Sequence, residues 1–183
     1  MDLKGSKTEA NLRAALAGES MARNKYTYYA AAARKAGYPK IADSLERMAT
    51  NEMHHARFWF EQLYGPRENV QENLRDAAAG ELEEWHQMYP SFAAQAREEG
   101  FGEVAVMFEQ VAAIERDHER QFMTLLLELA AGQKETAPAA SKPKVQQGYR
   151  CTFCGAVFSE RPDVCSVCKA IGAFELYEYV VRE

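Results

Sequence analysis

The sequence predicts a mainly α protein, a four-helix bundle followed by a small metal-bound β domain, and three observations carry that expectation. Residues 6 to about 132 are dominated by Ala, Glu, Leu, Met, Gln and Arg, with apolar residues recurring at three- and four-residue steps. Glutamates and histidines interrupt the apolar stripe at matching points of successive helices. All four cysteines lie in the last 33 residues, in two Cys-x-x-Cys pairs. Pairs so clustered read as a metal site in a reducing compartment, not as a disulfide framework.

Gly37-Tyr38-Pro39, Gly65-Pro66 and Gly100 to Gly102 divide the helical run, because Gly and Pro end one helix and open the next. The predicted helices span about 7–36, 39–64, 70–99 and 102–131. Pro90 falls inside the third, where a missing N–H and a steric clash predict a kink or a lost hydrogen bond. The run repeats internally. Leu12-Arg13-Ala14-Ala15-Leu16-Ala17-Gly18-Glu19 resembles Leu74-Arg75-Asp76-Ala77-Ala78-Ala79-Gly80-Glu81, at an offset of 62. The stretch from Leu45 to His55 resembles that from Phe108 to His118, at an offset of 63. Two helix pairs of one design predict a pseudo-twofold bundle with matching ligands from each half. The expected organisation is a bundle at 1–131, a Pro-, Ala-, Ser- and Lys-rich linker at 132–147 and a β domain at 148–183. The last segment favours short strands, and at about 36 residues it is too small to stand on an apolar core alone. A metal would supply the missing stability.

Charge and hydropathy narrow the function. Asp and Glu total 27 against 22 Lys and Arg, a net charge of −5, which argues against nucleic acid or an anionic membrane as partner. No apolar run approaches the roughly 20 residues that span a bilayer. The N-terminal segment is polar, without an apolar signal core, and a cytoplasmic location is the expectation.

Glu19, Glu52, Glu81 and Glu115 each sit within a stripe of apolar neighbours, such as Leu12, Leu16 and Tyr26 around Glu19 or Leu45, Met48 and Trp59 around Glu52. Surface glutamates are the rule, but position sets these apart. Burying one unpaired carboxylate costs several kcal/mol, and a domain is stable by only about 5–15 kcal/mol. Four buried carboxylates therefore demand multivalent cations. Glu52-x-x-His55 and Glu115-x-x-His118 add an imidazole on the same face of alternate helices. Two such motifs, with an in-stripe glutamate on each of the other helices, match the ligand set of ferritin-like di-iron proteins. Glu84, three residues after Glu81, can face the same site. The five glutamates carry −5, between the charges of two ferrous and two ferric ions. Mixed oxygen and nitrogen donors suit iron or manganese. His54 and His86 read as surface residues or as supports behind the ligands, and Tyr26 and Tyr89 as structural ones whose hydroxyls could reach the site.

Cys151-x-x-Cys154 and Cys165-x-x-Cys168 form two knuckles offering four thiolates to a tetrahedral ion. Ligands alone admit zinc or iron. Beside a di-iron site, iron is the expectation because it passes single electrons, with zinc as a substitute.

These motifs resemble the rubrerythrin family over nearly the whole chain: Gly18-Glu19-Ser20-Met21-Ala22-Arg23-Asn24-Lys25-Tyr26, Glu52-x-x-His55, Gly80-Glu81-x-x-Glu84, Met88-Tyr89-Pro90 and Glu115-x-x-His118, then a tail similar to a rubredoxin domain. Thr152 and Ser166 stand where that family often has proline. The resemblance implies that Glu52 and Glu115 bridge two irons, that Glu19 holds one and Glu81 with His118 the other, and that Glu84 and His55 are alternative ligands to the first. It implies a peroxidase reducing hydrogen peroxide to water, with Glu84, His55 and Tyr26 serving the chemistry. Electrons would be relayed through the four-cysteine iron site from rubredoxin or an NAD(P)H-dependent reductase. It also implies a homodimer, head to tail, with the tail on the partner subunit. A higher homo-oligomer is the alternative, and the short connection near Gly65 to Gln71 permits helix pairs to be exchanged. The rival functions are ferritin-type iron oxidation and storage, which Glu84 and the tail disfavour, and a zinc-bound scaffold without redox chemistry.

Overall fold

The computed structural model describes residues 3–132 and 145–180; most of the expected linker, 132–147, lies outside the described residues. The chain forms two compact units, Met1–Glu68 and Asn69–Glu183.

The first unit is a helical hairpin, α1 (Lys7–Lys35) and α2 (Pro39–Tyr64). The Ser6 hydroxyl accepts from the Glu9 amide at 3.0 Å and the Glu9 carboxylate accepts from the Gly5 amide at 2.6 Å, a capping box in all but one register step. Gly37, at φ +83, turns the chain beyond α1, and Pro39 starts α2 at the position where its missing N–H costs nothing. Arg34 ties the two helices at the turn, to Asp43 at 3.0 Å and Glu46 at 2.7 Å. Arg13 donates to the Tyr64 hydroxyl at 3.1 Å at the open end. Ala30, Ala42 and Ala49 are the side chains buried here among the described residues.

The second unit begins with a hairpin of the same design. Asn69 caps α3 (Val70–Glu83) by accepting from the amides of Gln71 and Glu72. A π-helical turn, Glu84–Met88, leads into α4 (Tyr89–Glu98), and α5 (Gly102–Ala130) folds back along both. The kink expected at Pro90 takes the form of this π turn, in which the Tyr89 amide donates to the Glu84 carbonyl. Pro90 has no N–H for the His86 carbonyl, so one turn relaxes to the wider i→i+5 pattern. The Trp85 indole donates to Glu119 at 3.2 Å and holds the wide turn against α5. At the far end Ala93, Ala96 and Ala105 close a small core with Phe108 against them.

The tail is a three-stranded antiparallel sheet of order β2-β1-β3, from β1 (Val145–Cys151), β2 (Val157–Phe158) and β3 (Phe174–Val180). β1 pairs Tyr149 with Phe158 on one side and Leu176 on the other. It begins three residues inside the segment expected as linker, because Val145, Gln146 and Gln147 pair with the last residues of β3. No described helix is long and apolar enough to cross a membrane.

Candidate metal centre

Three groups of ligand-bearing side chains come together, each with its donor atoms within 4.8 Å of one another: Glu19, Glu52 and His55; Glu81, Glu115 and His118; and the four cysteines. The first triplet belongs to the α1–α2 hairpin. The His55 Nδ1 lies 2.8 Å from Glu52 Oε2, an i,i+3 contact along one helix face. The second has the same construction, with His118 Nδ1 at 2.6 Å from Glu115 Oε2 and 3.9 Å from Glu81 Oε1. Helical spacing alone delivers each Glu–His pair, and the antiparallel neighbour adds the third carboxylate.

Within each hairpin the carboxylates are only partly covered. Glu52, Glu81 and Glu115 keep 19%, 22% and 16% of their side-chain surface accessible, and no polar or charged side chain is fully buried among the described residues. The reason is local: a pair of helices encloses no volume, so its ligand face is only partly covered. The electrostatic signature survives. Burial, then the negative Glu115, push the Glu81 carboxyl above its usual range, and His118 pulls the other way. A cation at this triplet would offset both contributions, and two carboxylates with an imidazole are donors that fit a di- or trivalent metal.

Glu84 joins neither triplet; it opens the π turn. Tyr26 is half-buried and belongs to neither triplet. Tyr89 carries more weight than its sequence reading suggested. Burial, then Glu84, Glu115 and Glu81, raise its hydroxyl above the ordinary tyrosine range. The signal was its place in Met88-Tyr89-Pro90.

The four-cysteine site is built from two matching knuckles. The Gly155 amide donates to the Cys151 carbonyl at 2.9 Å and the Lys169 amide to that of Cys165 at 3.0 Å. Gly155 and Lys169 both adopt positive φ, +78 and +62. Sγ of Cys151 lies 3.6 Å from that of Cys168, and Sγ of Cys154 lies 3.7 Å from that of Cys165. Burial raises the Cys151 thiol, but amides of Cys154 and Phe153 and the neighbouring sulfurs outweigh it and bring it to about 7. Burial pushes Cys154 up to about 12. The opposed pair is what four crowded thiols show when one deprotonates first; a metal replaces the remaining protons.

This site does not float on a tether. Ile114 of α5 is buried in one cluster with Cys151, Ala156 and Cys165, with Cys154, Phe158 and Phe174 packed against it. Tyr177 donates to Asp117 at 3.3 Å, and the Arg150 guanidinium lies 4.6 Å from the Tyr177 ring centroid. A methyl group placed on Gly155 would come within 3.0 Å of His118 Nε2 and 3.2 Å of Ile114 Cγ2. His118 thus presents Nδ1 to the carboxylates and Nε2 to the first knuckle. Within the chain the tail packs on α5, because Ile114, off the stripe that carries Glu115, completes the cysteine core. Gly155→Ala is expected to cost about 1–2 kcal/mol from the left-handed backbone alone, and more from displacing His118. A fall in the melting temperature of the tail, with the bundle unchanged, would check it.

Antiparallel helix pairs carrying carboxylate–histidine triplets, joined to a four-thiolate knuckle domain, fit the di-iron site and the four-cysteine iron site of a ferritin-like protein with a rubredoxin-like tail. The Rubrerythrin family profile matches residues 10–126 and again 72–149, the second match beginning at the offset of the internal repeat. Rubrerythrin of Porphyromonas gingivalis (strain ATCC BAA-308 / W83) is 39% identical over 180 residues, covering 91% of this chain and 87% of its own. Rubrerythrin of Nitratidesulfovibrio vulgaris (strain Hildenborough) is 37% identical over 180 residues, 91% of each chain. Among solved structures, fully reduced, all-ferrous nigerythrin is 27% identical over 96% of this chain and 91% of that one, with a TM-score of 0.42. The chain belongs to the rubrerythrin family.

Proposed function

We propose that this protein is a peroxidase that reduces hydrogen peroxide to two waters, consuming two electrons and two protons. The observation that supports it most is the packing of the four-cysteine knuckle against His118, a residue of one of the two carboxylate–histidine triplets, as a one-electron carrier serving that triplet would require. In this reading residues 1–131 hold the iron pair and 148–183 the electron carrier. Glu52 and Glu115 would each serve both irons, Glu19 would hold one, Glu81 with His118 would hold the other, and Glu84 and His55 would be alternative ligands to the first. Iron so held would supply the two electrons of peroxide reduction, and iron at the cysteines would pass single electrons.

The chain's own residues do the rest. The carboxylates set the charge that the ions must balance. His118 joins the carboxylate face to the knuckle through its two ring nitrogens. Tyr89, held protonated by burial and by Glu84, Glu115 and Glu81, keeps a proton available at its hydroxyl, and Tyr26 serves the other half. The external electrons come from a redox partner, rubredoxin or an NAD(P)H-dependent reductase.

The test is optical. Peroxide added to the fully reduced protein is expected to restore the oxidised spectrum within seconds; no recovery on that scale would end the peroxidase reading. Glu84→Ala is expected to slow turnover about 10- to 100-fold while the iron count is retained. Unchanged turnover in that variant would remove Glu84 from the chemistry.

A further inference from the structure

We propose that Asp117 of α5 is a positioning residue for electron delivery: with Tyr177 and Arg150 of the tail it fixes the orientation in which the first cysteine knuckle meets His118; this rests on the relay reading above.

Helical spacing puts Ile114, Asp117, His118 and Gln121 on one face of α5, at i, i+3, i+4 and i+7. The tail lies on this face. Ile114 is the α5 residue that enters the buried cysteine cluster. Apolar contact at one helix residue leaves the tail free to turn about it, because hydrophobic attraction has no direction. Nor is the seam filled. A groove of about 910 Å3 runs between α5 and the tail, and Ile114, Asp117, Gln121, Phe158 and Tyr177 are among its lining.

Directional contacts supply what packing does not. Residues paired across an antiparallel ladder project from the same face. Arg150 pairs with Glu175 and Gly148 with Tyr177, so Arg150, Glu175 and Tyr177 project together. The Tyr177 hydroxyl donates to Asp117 Oδ2 at 3.3 Å, the Gln121 side-chain amide donates to the same oxygen at 2.9 Å, and Arg120 donates to Oδ1 at 3.0 Å. Arg150 donates to Gln121 Oε1 at 3.4 Å and to Glu175 at 2.9 Å, with its guanidinium 4.6 Å from the Tyr177 ring centroid. Asp117 keeps only 19% of its side chain exposed. The charges of Asp117, Arg120, Arg150 and Glu175 cancel, so covering them leaves no unpaired charge. Burial, then Asp117, hold the Tyr177 hydroxyl above the ordinary tyrosine range, which keeps it a donor.

Asp117 and Gln121 stand about 4.5 and 10.5 Å along α5 from Ile114. A second attachment at that distance stops rotation about Ile114 and keeps Gly155 against His118. One electron leaves ferrous iron at the cysteines, oxidising it to ferric, and reduces ferric iron at the His118 triplet to ferrous; no bond is made or broken. Asp117 belongs to neither ligand group. It acts by holding the gap that the electron crosses.

Full-length Asp117→Ala, Asp117→Asn and Tyr177→Phe test this in two ways. In zinc-loaded protein, free of paramagnetic iron, nuclear relaxation of the tail amides is expected to match that of α5 in the wild type and to report independent tumbling in Asp117→Ala. In iron-loaded protein, peroxide is added to the fully reduced form and the cysteine iron is followed optically through one turnover. Its reoxidation is expected to slow about 10- to 100-fold in Asp117→Ala, the cost of a displacement of about 1 Å at a positioned site. The iron content, spectrum and midpoint potential of the cysteine site should not change. Asp117→Asn keeps an oxygen acceptor for Tyr177 and is expected to recover most of the rate. Tyr177→Phe keeps the ring under Arg150, loses the hydroxyl and should fall between. Identical tail relaxation in wild type and Asp117→Ala, or an unaltered reoxidation rate, would overturn the assignment. So would loss of the cysteine metal from Asp117→Ala, since the residue would then support the fold of the tail and not its orientation. Wild-type protein that does not react with peroxide would end the peroxidase reading, and the relaxation comparison would still decide whether Asp117 orients the tail.

Discussion

Glu115→Ala is expected to leave the bundle unable to hold its iron pair and to lower peroxide turnover by on the order of 100-fold or more, since loss of a mere supporting partner of a ligand already costs roughly 10- to 100-fold. Glu115 is more enclosed than Glu52 or Glu81, with 16% of its side chain exposed, and lies 2.6 Å from His118. In the proposed assignment it touches both irons, so its loss removes a ligand from each. The fold should survive. The negative charge of Glu115 contributes to raising the Glu81 carboxyl, and removing it relieves like-charge repulsion in the metal-free protein. Iron analysis and thermal melting together are decisive: normal helicity, an undiminished metal-free melting temperature and empty bundle sites are expected. Retention of two bundle irons per chain would refute the assignment of Glu115. The contrast with Glu84→Ala, expected to keep its iron and lose only rate, separates a ligand that holds the pair together from one that tunes it.

Stripping the metal from the cysteines should unfold the tail and stop electron delivery from a protein donor, while the helices persist. Cys151 and Cys165, 1% and 0% exposed, are the largest fully buried side chains among the described residues. In this domain the metal and its ligands are the core. Structural four-ligand sites contribute about 10–16 kcal/mol of apparent binding free energy near neutral pH, more than a sheet of this size can lose. Cys165→Ser, or a chelator acting on reduced protein, is expected to abolish the sheet's dispersed amide signals and the thiolate-to-metal absorption. Turnover driven by a protein donor should fall to background, whereas a small-molecule reductant should still reduce the bundle iron directly. If donor-driven turnover survived loss of the tail metal, the relay through the knuckle would be wrong.

Much of this architecture was legible in the sequence because it is written locally. Periodicity and Gly/Pro punctuation located the helices to within a residue or two, and i,i+3 spacing placed each histidine beside its glutamate. The Cys-x-x-Cys spacing defined both knuckles, down to their equivalence. Other features were only hinted at. Pro90 announced an irregularity, but its π form also depends on how the Trp85 indole reaches Glu119 across the hairpin. Ile114 is one of several apolar residues of α5. Its position off the stripe shared by Phe108, Val111 and Ala112 was the signal that something else covers it.

The amino-acid sequence by itself determined which residues can ligate metal, on which helices they stand and at what intervals, because backbone geometry converts spacing into side-chain direction. Only the tertiary structure decided that the cysteine domain rests on α5 with Gly155 against His118, and that the carboxylates of a single hairpin keep about a fifth of their surface accessible. Those outcomes depend on which surfaces pack, and packing is settled by shape complementarity between segments distant in the chain, which no local pattern encodes.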